Sequence, residues 1–256
     1  MKNYKLTFAL AVMAIMSATT VWAGSADTLT VRIKGMRCGE CAHKVKTVVK
    51  KGPGIEGIDF NLERRTATIA YDPAQTCADS IKAHLDATGR YKTSAYSPND
   101  TILCGFGLRI DDMHCQNCYN RISQRLQTME GIDSMAPHLD KHYIFVRYDA
   151  NQTCKADIRR VLGGLGFTPV NYYSSPKVAF AYYNIPAEAA VEATIDEVLA
   201  LTGVEDANVN AKRKSLAVTY FTDETTADTL LEGIKAAGIE AVVPPAHECK
   251  EEKKQL

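Results

Sequence analysis

The stretch Gly35-Met36-Arg37-Cys38-Gly39-Glu40-Cys41 joins two kinds of apolar periodicity. Before it, Leu29, Val31 and Ile33 alternate, as in a half-buried strand. After it, Val45, Val48 and Val49 fall at helical spacing. The junction predicts a strand that ends, a short loop carrying Cys38, and a helix whose first turn holds Cys41. The unpaired N–H groups and positive dipole end of such a helix favour thiolate over thiol. Two thiolates this close form a pincer for a soft metal ion.

The stretch recurs. Met113-His114-Cys115-Gln116-Asn117-Cys118 follows 77 positions after Met36. The same ungapped offset pairs Gly54-Ile55 with Gly131-Ile132, Tyr71-Asp72 with Tyr148-Asp149, and Gln75-Thr76-Cys77 with Gln152-Thr153-Cys154. A third copy stands 149 positions after the first and pairs Gly203-Val204 with Gly54-Ile55 and Tyr220 with Tyr71. There the two cysteines are replaced by Ala187 and Ala190.

Each copy reads as strand, helix, strand, strand, helix, strand. In the first, Gly52-Pro53-Gly54 stops the helix, and Ile58–Leu62 and Thr66–Tyr71 form a hairpin about Glu63-Arg64-Arg65. Ile81 and Leu85 mark a second helix, and Lys92–Tyr96 forms the last strand. In the third copy Val242 and Val243 stand for that last strand. This split βαββαβ pattern predicts an α+β chain of three tandem ferredoxin-like domains. Their expected bounds are 24–97, 98–175 and 176–245, with linkers at Ser97-Pro98-Asn99-Asp100 and Ser174-Ser175-Pro176 and a charged tail at 246–256.

Residues 1–23 carry Lys2 and Lys5, a short apolar run from Leu6 to Met16, and Val21-Trp22-Ala23 before a cleavage point. That is the pattern of a secretory signal peptide, and the run is too short to span a bilayer. The expected location is periplasmic or secreted, with no membrane insertion after cleavage. Formal net charge is zero, which gives no footing for nucleic acid.

The first two copies resemble the heavy-metal-associated domain. That domain is found in copper chaperones, in the N-terminal repeats of metal-pumping P-type ATPases, and in the periplasmic mercuric-ion binding protein. The carrying residues are Gly35-Met36-x-Cys38-x-x-Cys41, Met113-x-Cys115-x-x-Cys118 and the Gly54-Ile55 pair. The resemblance implies that Cys38 with Cys41, and Cys115 with Cys118, each bind one soft ion. Cu(I) is the first choice, with Hg(II), Zn(II) or Cd(II) as alternatives. It implies that Met36 and Met113 pack beneath the loop instead of ligating. The implied partner is a metal-exporting P-type ATPase or another soft-metal domain, and the implied role is carriage or buffering without catalysis.

The chemistry agrees. Cu(I) and Hg(II) accept two nearly collinear thiolates, whereas Zn(II) prefers four ligands. A zinc ribbon would need its second pair about 15–20 residues away. Here 73 residues separate Cys41 from Cys115, so each pair reads as its own site.

Other residues invite roles. Asp111-Asp112 replaces Lys34-Gly35 in the second copy and offers harder ligands for Zn(II) or Cd(II). Arg90 reads either as an offset to a negative dithiolate centre or as a solvated surface residue. His114, read as exposed, is an auxiliary ligand or a surface residue. His43, His84, His138 and His142 lack ligand spacing. His247-x-Cys249 is a further metal-binding possibility. Cys77, Cys104, Cys154 and Cys249 fall at the far end of the expected sheets. Their even number in an exported protein favours disulfides, with Cys104–Cys154 and Cys77–Cys104 as rival pairings. The competing function is a periplasmic thiol–disulfide redox protein using the same Cys-x-x-Cys pairs. A structural or adhesion array with vestigial sites is a third reading, opposed by two intact thiol pairs.

Overall fold

The computed structural model describes residues 26–36 and 38–245. The chain divides into two compact units, one ending at Tyr96 and the other beginning at Ser97.

The first unit contains β1 (Asp27–Lys34), α1 (Gly39–Val49), β2 (Ile55–Asn61), β3 (Thr66–Tyr71), α2 (Ala78–Asp86) and β4 (Lys92–Ala95). Its antiparallel sheet has the order β2-β3-β1-β4. Alternation sends Val31 and Ile33 of β1 and Ala67 and Ile69 of β3 to the helical side. There they meet Val45 and Val49 of α1 and Ile81 and Leu85 of α2 in one core. This is the expected ferredoxin-like module.

β2 begins three residues before the predicted Ile58, because the strand opens with a register shift between Ile55 and Gly57. Gly54 supports that entry at φ 68°. A Cβ at Gly54 would lie 2.7 Å from the Gln75 side chain and 3.2 Å from the Asp72 carbonyl. Gly131 and Gly203 hold the same position at φ 85° and 78°. The repeated glycine therefore marks a backbone crossing that a side chain would block.

The second unit opens with β5 (Leu103–Arg109), α3 (Gln116–Leu126), β6 (Ile132–His138), β7 (Tyr143–Asp149), α4 (Lys155–Gly164) and β8 (Val170–Tyr172). Its sheet repeats the first, in the order β6-β7-β5-β8. Pro137 sits on edge strand β6, where a missing N–H is tolerated.

The third copy follows as β9 (Val178–Asn184), α5 (Glu192–Leu199), β10 (Val204–Asn210), β11 (Ser215–Phe221) and α6 (Ala227–Ala236). Its sheet has three strands, in the order β10-β11-β9. The expected last strand is reduced to a single bridge from Val242 to Asn184, and Pro244-Pro245 follows it. Proline donates no ladder hydrogen bond, so the strand stops there.

The second and third copies pack as one unit. In β11, Leu216 and Val218 face the third copy's own core. Ser215, Ala217 and Thr219 point the other way, yet each is fully buried. They lie under the second copy. Thr219 Oγ1 donates to Asn171 O at 2.8 Å, and Asn208 Nδ2 donates to Pro169 O at 2.8 Å. Arg159 of α4 pairs with Asp206 of β10 at 3.0 Å. Asp206 also accepts from Asn171 N at 2.7 Å.

Candidate metal centre

Both motifs stand where a first strand meets a first helix. Cys38 is the N-cap of α1 and Cys115 the N-cap of α3, each with an extended backbone. Their carbonyls accept the first helical hydrogen bonds, from Ala42 at 3.0 Å and Tyr119 at 3.2 Å. Cys41 and Cys118 follow within the first turn. The helical geometry brings Cys38 Sγ to 2.9 Å from Cys41 Sγ, and Cys115 Sγ to 3.3 Å from Cys118 Sγ. In each pair the first cysteine is exposed and the second is half-buried.

The Cys115 thiol is held below its ordinary pKa. The Cys118 backbone N–H is the main cause, followed by the Cys118 thiol and the Asn117 N–H. This is the stabilisation expected of a thiolate at a helix start.

Met36 and Met113 are completely buried beneath the two loops. Ile185 occupies the matching position in the third copy and is buried as well. An apolar plug is thus kept where the thiols are lost. Ala187 begins a short 3-10 turn there, and α5 starts only at Glu192, after Val191 as its N-cap.

Gly35 adopts φ 98°, and a Cβ on it would lie 2.8 Å from Arg90 O. The Arg90 loop therefore reaches the end of the first sheet that carries Cys38 and Cys41, as the topology predicts. Lys44 holds the Glu40 carboxylate below its usual range, and Arg90 adds a smaller contribution in the same direction. Glu40 stands between the two cysteines in the first turn of α1. Tyr91, next to Arg90, is buried, and its hydroxyl donates to Cys41 O at 3.4 Å.

The second copy departs from expectation. Asp111 accepts from Arg109 Nε at 2.8 Å. Asp112 is buried and accepts from Thr168 N at 3.4 Å. Burial raises its carboxyl pKa, against the opposing effect of the Thr168 N–H. Neither aspartate joins the cysteines, and among the described residues no three His, Cys, Asp or Glu side chains converge as a metal cage. To help hold Zn(II) or Cd(II), Asp111 and Asp112 would have to leave their Arg109 and Thr168 partners.

His114 is half-buried instead of exposed, and its ring meets His142 edge-on at 5.5 Å. His142 Nδ1 lies 3.2 Å from Met113 O. Linear spacing hides this neighbour, because His142 lies in the β6–β7 hairpin turn. The repeat alignment carries the missing signal. Arg65, His142 and Lys214 are the same turn position in the three copies, all at φ between 50° and 55°. The carbonyl of each accepts from a backbone N–H at the end of a first strand, as Ile33 N donating to Arg65 O at 2.8 Å illustrates. His43 is exposed on α1, His84 lies against Val48 O, and His138 stacks on Tyr143.

The expected disulfides are absent from the described residues. Cys77 and Cys154 are N-caps of α2 and α4. Cys77 Sγ lies 3.2 Å from Ser80 Oγ, and Cys154 Sγ lies 3.1 Å from Asp157 Oδ2. Cys104 sits on β5 opposite Tyr148. Thr226 holds the same cap position in the third copy and accepts from Thr229 N. That alignment puts both cysteines at a helix N-cap position, though neither makes a side-chain cap hydrogen bond. Their environments differ: Ser80, through its hydroxyl and then its N–H, lowers the Cys77 pKa, whereas burial raises that of Cys154. Cys249, His247 and the proposed signal segment lie outside the described residues.

Two ferredoxin-like modules with paired thiols at a strand–helix junction define a class of metal-binding modules. The heavy-metal-associated domain matches residues 30–90 and 108–168 of the chain. The mercuric transport protein periplasmic component of an Alcaligenes species is 36% identical over 85 residues, covering 33% of this chain and 87% of that protein. The copper-exporting P-type ATPase of Bacillus subtilis (strain 168) is 25% identical over 139 residues, covering 54% of this chain and 16% of the ATPase. Copper-transporting ATPase 1 of Rattus norvegicus is 22% identical over 277 residues, covering 84% of this chain and 18% of the ATPase. The chain thus spans less than a fifth of the length of these ATPases. The solution structure of the N-terminal soluble domains of Bacillus subtilis CopA aligns with 60% of this chain and 98% of that one, at 23% identity and a TM-score of 0.27. The chain belongs to the heavy-metal-associated domain family, and its first two modules are heavy-metal-binding domains of that kind.

Proposed function

We propose that the protein is an exported, non-catalytic carrier or buffer of a soft metal ion, with Cu(I) as its cargo. Cys38 with Cys41 and Cys115 with Cys118 would each hold one ion. The carrying observation is the pair of thiols at a helix start over a buried Met, in two independent copies. A linear S–metal–S unit spans about 4.6 Å if each bond is near the ~2.3 Å of zinc–thiolate. From 2.9 and 3.3 Å, the two pairs would have to open by about 1.7 and 1.3 Å to take up that span. Hg(II) fits the same geometry. Zn(II) and Cd(II) would draw their further ligands from outside the pair.

Transfer follows from low coordination. A two-coordinate ion accepts a third thiolate from a partner before the first bonds break. The ATPase relatives support a metal-exporting P-type ATPase as that partner. The mercuric relative, a periplasmic component by name, supports the periplasm, and the signal-like residues 1–23 point the same way. No described helix is long and apolar enough to cross a membrane.

Anaerobic titration of the reduced protein with Cu(I) tests this reading. The expected result is two tightly bound ions, one lost in Cys38→Ala/Cys41→Ala and the other in Cys115→Ala/Cys118→Ala. Unchanged stoichiometry in both double variants would sink it. The 2.9 Å approach of Cys38 to Cys41 also suits thiol–disulfide exchange. Disulfide reductase turnover by the metal-free protein would favour that second reading.

A further inference from the structure

The loop leading into Cys115 is tied to the third copy, whereas the loop leading into Cys38 is held within its own module. In the first copy the chain after α2 that supports the metal loop, residues 86–90, is exposed throughout. In the second copy the equivalent chain, residues 163–167, is capped by the β10–β11 turn. Asn210 Nδ2 donates to Phe167 O at 2.8 Å and to Gly163 O at 3.2 Å. Lys212 Nζ donates to Gly164 O at 2.9 Å, and Arg213 Nε donates to Gly166 O at 3.2 Å. Gly163 and Gly164 close α4, and Gly166 and Phe167 follow it, where the negative dipole end of the helix favours cationic donors.

The tie continues to the metal loop. Ser215 Oγ lies 2.7 Å from Thr168 Oγ1, and Thr168 Oγ1 lies 3.5 Å from Asp112 Oδ2. A consistent assignment has Ser215 donating to Thr168 and Thr168 donating to Asp112. All three residues are buried. Asp112 stands three residues before Cys115, at the position of Gly35. The first copy has no such relay, since Gly35 carries no side chain.

We propose that the third copy is a built-in clamp on the second metal loop. It makes Cys115/Cys118 the slow-exchanging, storing site and leaves Cys38/Cys41 to hand its ion on. This rests on reading both pairs as metal sites. Ligand exchange requires the thiols to part and the loop to yield, and a loop held by more buried hydrogen bonds opens less often. The lost thiols at Ala187 and Ala190 fit a copy retained for its binding surface.

The test uses the full, reduced protein loaded with Cu(I). Cys38→Ala/Cys41→Ala leaves the second site, and Cys115→Ala/Cys118→Ala leaves the first. Excess bicinchoninate then strips the ion in a stopped-flow experiment. The second site should release more slowly. Thr168→Val should speed its release about three- to tenfold, the worth of one net hydrogen bond. Thr168→Ser should restore the parent rate, which a purely steric role would not allow. Asn210→Ala and Arg213→Ala should act like Thr168→Val, with first-site release unchanged. Equal release from both parent sites, or a second-site rate indifferent to all three variants, overturns the clamp. Amide hydrogen exchange of the metal-free protein gives a reading independent of metal. The clamp requires slower exchange before Cys115 than before Cys38, and faster exchange there in Thr168→Val. If the parent binds no Cu(I), the metal reading fails while exchange still decides the clamp.

Discussion

The two motif methionines decide between a ligand and a plug. Met36 and Met113 have no exposed surface, and each sits under the turn that carries its cysteines. A thioether there fills space that must be filled with something apolar. Met36→Ala should therefore cost about 2–5 kcal/mol of stability, the range for truncating a buried Met. Met36→Leu should cost under about 1.5 kcal/mol, because volume is kept. Chemical denaturation of the two variants, with Cu(I) titration of Met36→Leu, checks this. Loss of first-site binding in the leucine variant would make Met36 a ligand after all. This much of the site was legible in the sequence, because the change of period places the thiols and the family resemblance of Met-x-Cys-x-x-Cys implies a buried Met. The company of His114 was not legible. His142 reaches it through a hairpin turn, and Asp112 turns away from the thiols because Thr168 offers it a donor in a buried setting.

At the scale of elements, the period-two and helical runs located nearly every strand and helix of the first two copies. The boundaries that slipped did so for local reasons. β2 starts early through its register shift above Gly54. In the repeat register α5 starts four residues later than α1, because a 3-10 turn takes the place of the first thiol-bearing turn. Even cysteine numbers suggest bridges, whereas the repeat register places Cys77 and Cys154 at helix N-cap positions. Neither makes a side-chain hydrogen bond to a helix N–H that qualifies as a cap. Thr226 does so at the same position, accepting from Thr229 N at 3.2 Å. Cys77→Ser should thus stabilise the first unit by about 0.5–1 kcal/mol, within the range of a good N-cap. Thermal unfolding reads the change, and an unchanged or lowered midpoint would show that the Cys77–Ser80 contact already serves as the cap.

At the scale of the molecule, the third copy is the least legible part. Ser215, Ala217 and Thr219 alternate with apolar residues, and a strand of that pattern reads as one face in water. Small and hydroxyl-bearing side chains look the same whether they meet solvent or a close-packed neighbour. Here Thr219 bonds to Asn171 O, and Arg159 pairs with Asp206, so the face is docked. Docking makes the second and third copies one cooperative body, separate from the first. Calorimetry of the metal-free protein should accordingly show two transitions, not three. Ala217 has no exposed surface, and Ala217→Asp would bury a carboxylate without a partner. Such a charge costs several kcal/mol or forces the surfaces apart. The variant should lower the second unit's transition, or split it in two, and leave the first unit's midpoint in place. Because the clamp on the Asp112 loop depends on the same docked face, the variant should also speed Cu(I) release from Cys115 and Cys118. A lowered transition with unaltered release would separate docking from clamping, and three transitions in the parent protein would remove the docked body itself.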